Sequence, residues 1–503
     1  MRFNFRSTQD YIEIVPFTYI AILLSVFALL LTSCEPDIEP KKASAYIGGE
    51  IVNPNNNYVI VSKDNSNNDT IYLDENNRFL HTLDSAHTGF YIFKHSPETQ
   101  LVHIERGDSI LLRLNTLQFD ESLVFSGRGA ERNNFIVDMF LANEYNQALL
   151  PNWYKLPPKE FEKKMDSLEN RYKKQLKRVV KTTTFSKTAI AAARNSYMYN
   201  IFSYKENYPA NWIRTVLNSR PKKKERLPET YYAYRKKVNF NDSTLRLSYA
   251  YNRFIYSFIQ NETLEYELNN DTTLSPKASV QFKLALVDSV IPDERIKNTQ
   301  MRGITRQYIL TNRDSISSYA VLDDFLTRNT NPRFNSELTR LAKAMAKLEN
   351  GDKIPNEMLV SSSNENSRIG LQELSQKAPL SVFYFWSVQR LEHFKEAHNK
   401  AETLRKKYPS ISVYGINTND DKTKKWIPVL NQYNYSPLFE FQFDNYLKSR
   451  RSLVLTNNNK TIITNRNGEI LTYGSNLLNP NFEREIQQYL NRISDQEAIV
   501  SRE

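Results

Sequence analysis

Between Ala45 and about Gly129, apolar and polar residues alternate with a period of two, as half-buried strands require. The pattern predicts strands at Tyr46–Val52, Tyr58–Ser62, Thr70–Leu73, Phe90–Lys94, Leu101–Ile104, Ser109–Leu114 and Leu123–Phe125. Asn-rich and Asp-rich turns separate them, such as Asn53-Pro54-Asn55 and Asp74-Glu75-Asn76-Asn77. Glu105-Arg106-Gly107-Asp108-Ser109 reads as a tight turn entering a strand, and Asn133-Asn134 closes the segment. Short strands at regular spacing predict a β-sandwich over 45–129. From 130 to 360 the period becomes helical. Lys159–Lys181 puts Phe161, Met165, Leu168, Tyr172, Leu176 and Val179 on one face; Leu247, Ala250, Phe254 and Phe258 mark a second helix, and Leu338–Leu348 a third. This region is expected to be a helical connector. From 361 to 503 strands and helices alternate. Leu380–Trp386 is a nearly continuous apolar run, hence a buried strand, followed by a helix at Leu391–Lys407 and a second strand at Ser410–Asn417. A helix at Thr423–Tyr433 follows, then a hairpin of Thr461–Thr464 and Ile470–Tyr473, then a closing helix at Pro480–Ile493. The predicted class is multidomain α+β, ending in an α/β domain of order βαβ-α-ββ-α.

Residues 1–33 have a different character. Arg2 and Arg6 precede an uncharged run from Phe17 to Leu31, too short to span a bilayer comfortably but suited to a signal peptide. Asp10 and Glu13 are unusual in such a positive start. The run ends in Leu31-Thr32-Ser33-Cys34, which resembles the lipobox of bacterial lipoproteins. That resemblance implies lipidation at Cys34, with 34–44 as a polar, proline-containing tether. The expected location is the cell envelope, anchored by lipid, at the periplasmic or outer face of the outer membrane.

Composition narrows the function. Cys34 is the only cysteine among 503 residues, so a lipidated chain has no thiol for a disulfide, for exchange or for metal ligation. Only 12 glycines are present, and no phosphate loop, dinucleotide fingerprint or serine nucleophile elbow occurs. The net charge of +11 admits nucleic acid, an anionic membrane or an acidic partner. The basic stretch Arg220–Lys237, interleaved with Tyr231, Tyr232 and Tyr234, would suggest nucleic acid in a cytosolic protein. With an envelope address it reads as a solvated face, and no nucleic-acid partner is expected. His393 and His398, five apart on a helix, do not share a face; His81, His87, His95 and His103 lack an accompanying carboxylate cluster. No metal and no cofactor are expected. Asp420-Asp421 reads as a polar loop.

The segment Ala378-Pro379-Leu380-Ser381-Val382-Phe383-Tyr384-Phe385-Trp386-Ser387 resembles the active-site strand of envelope thiol-disulfide oxidoreductases of the TlpA/ResA type. Val413-Tyr414-Gly415-Ile416-Asn417 resembles the second strand of that family and Asn467-Gly468-Glu469-Ile470 its hairpin turn. The resemblance implies a thioredoxin-like domain. The N-terminal pattern resembles a small β-sandwich domain of unknown function that precedes such domains in Bacteroidetes lipoproteins. The family chemistry needs Cys-x-x-Cys at a helix N-terminus and a cis-proline facing it. Here the cysteine positions fall at Arg390 and His393, and the proline position falls near Asn459. No catalytic residue is therefore expected. The expected function is the binding or scaffolding of an envelope protein or peptide by a redox-inactive thioredoxin-like domain. The alternatives are a thiol-disulfide oxidoreductase-family enzyme, which the missing cysteines oppose, and a glycan-binding lipoprotein.

Overall fold

The computed structural model describes residues 44–500 apart from 64–67, 85, 218–225, 365–366 and 420–425, with no side-chain placement for 216–217 and 495–500. Cys34 and Asp420-Asp421 lie outside the described residues. The chain is mixed helix and sheet and divides into two compact units, one of residues 1–145 and 171–196, the other of 146–170 and 197–503.

Among its described residues the first unit holds eight strands: β1 (Ala45–Val52), β2 (Tyr58–Ser62), β3 (Asn68–Tyr72), β4 (Arg78–Leu83), β5 (Gly89–His95), β6 (Glu98–Ile104), β7 (Ser109–Asn115) and β8 (Val124–Arg128). They form two four-stranded sheets, ordered β4-β1-β7-β8 and β3-β2-β5-β6. All pairs are antiparallel except β1 with β7, where Tyr46 lies opposite Ser109 and Val52 opposite Asn115. Inward residues of both sheets share one core, including Ile47, Ile51, Val61, Phe79, Phe93, Val102, Ile110 and Leu112. Phe79 stacks on Phe93 at 5.8 Å. Strand β4 is missing from the sequence-based expectation. Its Leu80 is 67% exposed, so an apolar residue sits where strict alternation demands a polar one.

Polar side chains tie the sandwich to helix α1 (Ala130–Trp153). Asn133 donates to the His103 carbonyl and accepts from its N–H, and Asn134 does the same at Phe125. The Asn133-Asn134 pair thus satisfies backbone groups of β6 and β8 as a neighbouring strand would. In the predicted turn, Gly107 has φ +79 and Asp108 accepts from the Glu105 N–H. Asp108 also binds Arg132 in a buried ion pair, and Arg132 donates to the His103 carbonyl.

Helices α2 (Pro158–Thr182) and α3 (Lys187–Trp212) contribute residues to both units. Then follow α4 (Tyr249–Asn270), α5 (Pro276–Val290), α6 (Glu294–Thr311), α7 (Ser315–Arg328) and α8 (Pro332–Met345). Each of these five starts on a side chain that accepts a first-turn N–H: Ser248, Ser275, Asp293, Asp314 and Asn331. The aromatic wealth of the sequence fills the interior here. Tyr199, Phe202, Tyr208, Tyr251 and Phe254 are buried together with Tyr231 and Tyr234 from the basic stretch. Arg235 from that stretch forms a bidentate pair with buried Glu206. Pro209 removes the N–H that would pair with the Lys205 carbonyl inside α3, and the Tyr231 hydroxyl donates to that carbonyl at 2.9 Å instead.

The chain ends in a seven-stranded sheet of β9 (Met358–Ser361), β10 (Arg368–Gly370), β11 (Leu380–Trp386), β12 (Ile411–Asn417), β13 (Glu440–Phe443), β14 (Thr461–Asn465) and β15 (Ile470–Ser475), ordered β10-β9-β13-β12-β11-β14-β15. Strands β11, β12 and β13 run parallel; β14 pairs antiparallel with β11, and β15 with β14. The helices are α9 (Leu371–Ser375), α10 (Leu391–Lys407), α11 (Trp426–Gln432), α12 (Tyr446–Ser452) and α13 (Phe482–Val500). Every residue of β11 is buried, as its continuous apolar run demands. Strands β9, β10 and β13 have only three or four residues each, too few for a period to register in the sequence.

Candidate functional site

The site is built where β11 and β12 end. Trp386 closes β11, and its carbonyl accepts from the Thr418 N–H and from the Thr418 hydroxyl. Ser387 then turns the chain: its hydroxyl accepts from the Gln389 N–H and its carbonyl from the Arg390 N–H. Asn419 steadies the same turn by accepting from the Val388 N–H at 3.1 Å. Helix α10 begins immediately, with Arg390 at its N-cap and Glu392 in its first turn. Arg390 makes no capping bond with its side chain. The N-terminus of a helix favours negative charge, and Arg390 brings a cation there. His393 is half-buried, and burial followed by the neighbouring Arg390 charge lowers its pKa below the ordinary histidine value. The loop of Asn459 approaches the same edge: Asn458 accepts from the Thr418 hydroxyl at 3.4 Å. Asn459 is exposed, and the only cis peptide among the described residues is Ser96–Pro97. Arg390, His393 and the Asn459 loop are therefore all placed at this sheet edge. None of them is a thiol.

Next to Asn459, Lys460 turns inward, donating to the Val454 carbonyl and to the Tyr473 hydroxyl at 2.5 Å. Burial, reinforced by Arg313 and Arg306, pushes its pKa down to about 8.

Beneath the edge lies a buried polar cluster that sequence reasoning missed. Glu440, fully buried on β13, accepts from the Tyr384 hydroxyl at 2.8 Å and from the Trp386 indole N–H at 2.9 Å. His398 Nε2 lies 3.3 Å and Arg405 Nη2 3.6 Å from the same carboxylate. His398 Nδ1 meets the Phe394 carbonyl at 2.8 Å, and the imidazole stacks on Tyr435 at 4.5 Å. Gly415 lies opposite Glu440 in register, and a Cβ there would collide with the carboxylate. The available signal was a single Glu embedded in Phe439-Glu440-Phe441-Gln442-Phe443, with no partner visible nearby in sequence.

Three of the sandwich histidines have structural partners for their rings. His95 meets the Tyr58 carbonyl and accepts from the Asn55 N–H; His81 lies 3.2 Å from Asp69. His103 packs edge-on against Phe90. Among the described residues, no three His, Cys, Asp or Glu side chains converge as a metal site would require.

Within the terminal sheet, the order second-first-third-fourth of β12, β11, β14 and β15, with β12 and β11 paired parallel and only β14 running against the other three, is a known arrangement. That fold is thioredoxin-like. No protein-family model and no curated protein matches the chain. Among solved structures, it is similar to a thioredoxin-like protein from Bacteroides caccae at 14% identity and a TM-score of 0.33, covering 53% of this chain and 94% of that one. It is also similar to the thioredoxin domain of a thiol-disulfide oxidoreductase from Bacteroides vulgatus, at 16% identity and a TM-score of 0.24, covering 27% and 97% respectively. A thiol:disulfide interchange protein from Bacteroides sp. is similar at 12% identity and a TM-score of 0.24, over 29% and 92%.

Proposed function

We propose that this chain is a lipid-anchored protein of the bacterial cell envelope whose thioredoxin-like domain binds a protein or peptide partner without thiol chemistry. One observation carries the reading: the sole cysteine of the chain is Cys34, inside the lipobox-like sequence, so Arg390 and His393, read as the dithiol-equivalent positions, hold no thiol. Exchange needs a thiolate to attack a disulfide sulfur, and neither replacement supplies one. What remains at the sheet edge suits contact. Leu391 is 43% exposed, flanked by exposed Gln389, Arg390 and Glu392, with the Asn419 and Asn458 amides beside them. An apolar spot rimmed by amides and charges can hold a peptide backbone and one apolar side chain.

Insulin reduction by the full chain tests the chemistry. No turnover above buffer is expected, and turnover would sink the reading. Membrane attachment is tested with Cys34→Ser, which should move the protein from the membrane to the soluble fraction. A variant that stays bound would remove the anchor from the proposal. Affinity capture from membranes, comparing the natural chain with Arg390→Glu, should recover a partner that the variant loses.

A second reading, glycan capture by the sandwich, is favoured by a groove of about 920 Å³ on the outer face of β4, β1, β7 and β8. Tyr72 at 69% exposure, Leu80 and Leu111 offer apolar surface there, and Asp74, Arg78, Glu50 and Arg113 offer polar groups. A glycan array with no bound sugar would end that reading.

A further inference from the structure

The helical part of the second unit holds a separate groove of about 470 Å³, between the end of α1 with its following turn and the polar side of α3. Ser203, Asn207, Asn211 and Thr215 recur every four residues, the spacing that places side chains along one side of a helix. A single π-turn, Ile213–Leu217, continues α3 and carries Arg214 and Thr215. Such turns interrupt helices preferentially at functional positions.

The charge of the lining is one-sided. Lys155, Arg214 and Arg253 contribute three cations, and no described lining residue is Asp or Glu. Both guanidinium groups are braced by neutral amides: Arg214 donates to Asn211 Oδ1 at 2.8 Å and Arg253 to Asn200 Oδ1 at 3.0 Å. Asn207 donates to the Ser257 hydroxyl at 3.0 Å, which orients its amide. Leu150, Pro151 and the Tyr154 ring supply an apolar flank. Planar guanidinium groups held in place match carboxylate and phosphate oxygens, and ring and amide surfaces accept a small organic body.

We propose that this groove binds a small organic anion through a carboxylate or phosphate group held by Arg214, Arg253 and Lys155. The inference is independent of the thiol question and of the membrane anchor. Isothermal titration calorimetry on the full chain, with inorganic phosphate and citrate as probes, tests it. Saturable binding of at least one probe is expected, weakened by added sodium chloride and reduced about tenfold by Arg214→Gln. Phosphate binding alone would assign the phosphate group, and citrate binding alone the carboxylate. Arg214 and Lys155 are exposed, so Arg214→Gln and Lys155→Gln should leave the unfolding midpoint unchanged and report on binding alone. Failure of both probes to bind saturably would overturn the proposal, as would binding that neither variant weakens.

Discussion

A fully buried carboxylate survives only if donors replace the water it has lost, and Glu440 accepts from Tyr384 and Trp386, with the His398 ring and the Arg405 guanidinium within 3.3 and 3.6 Å. Removing it leaves the buried Tyr384 hydroxyl and Trp386 indole without their acceptor and takes the nearby countercharge from Arg405. Glu440→Ala is expected to cost about 3–5 kcal/mol in urea unfolding, the range for breaking a buried ion pair. Gly415→Ala should be destabilising for the same reason seen from the other strand, because its methyl group would displace that carboxylate. His103 makes a pH-dependent prediction. Burial, aided by Arg132, pushes its pKa down to about 4, below the 6.5 of an exposed histidine. The unfolded chain then binds a proton that the folded chain refuses, so stability rises with pH between those values. The His103 contribution is complete above about pH 6.5 and is lost as pH falls toward 4. An NMR titration placing His103 above pH 6 would contradict this.

Among the elements, α10 begins and ends where its apolar spacing and flanking residues predict, at Leu391 and Lys407. Its N-terminus is the exception to local preference. A cation at the N-cap opposes the helix dipole, so Arg390→Asp should raise stability by about 0.3–1 kcal/mol in thermal unfolding. If Arg390 serves a partner, the same variant loses capture of that partner while the helix gains. Helix α3 poses the reverse case: a proline inside an apparently helical pattern argues for a break. The helix continues because the Tyr231 hydroxyl reaches the orphaned Lys205 carbonyl from a distant segment. Tyr231→Phe should therefore cost about 1 kcal/mol, the lower end of the penalty for leaving a polar group unpaired, because the Lys205 carbonyl is only partly buried. The basic stretch changes meaning similarly, since Tyr231 and Tyr234 turn inward and Arg235 neutralises Glu206.

At the scale of the whole molecule, a β-sandwich, a set of helices and a thioredoxin-like sheet follow one another along the chain. No helix among the described residues is long and apolar enough to cross a membrane. Cys34 lies outside those residues, and the Cys34→Ser fractionation tests it directly. The sequence by itself determined the elements whose residues carry a long, regular pattern: the sandwich strands that alternate, the amphipathic helices α2 and α4, the buried strand β11 and the absence of cysteine from positions 390 and 393. These are local properties, set by side-chain period, capping chemistry and the presence or absence of sulfur. Tertiary structure alone decided the rest. It recruited β13 by pairing it with the longer β12 and added β9 and β10 beyond it, gathered Tyr384, Trp386, His398 and Arg405 around the Glu440 carboxylate, and set Arg214 and Arg253 beside Lys155. Glu440 and the three cations each lie tens of positions from their partners, and a pairing between distant side chains leaves no period in the chain to read.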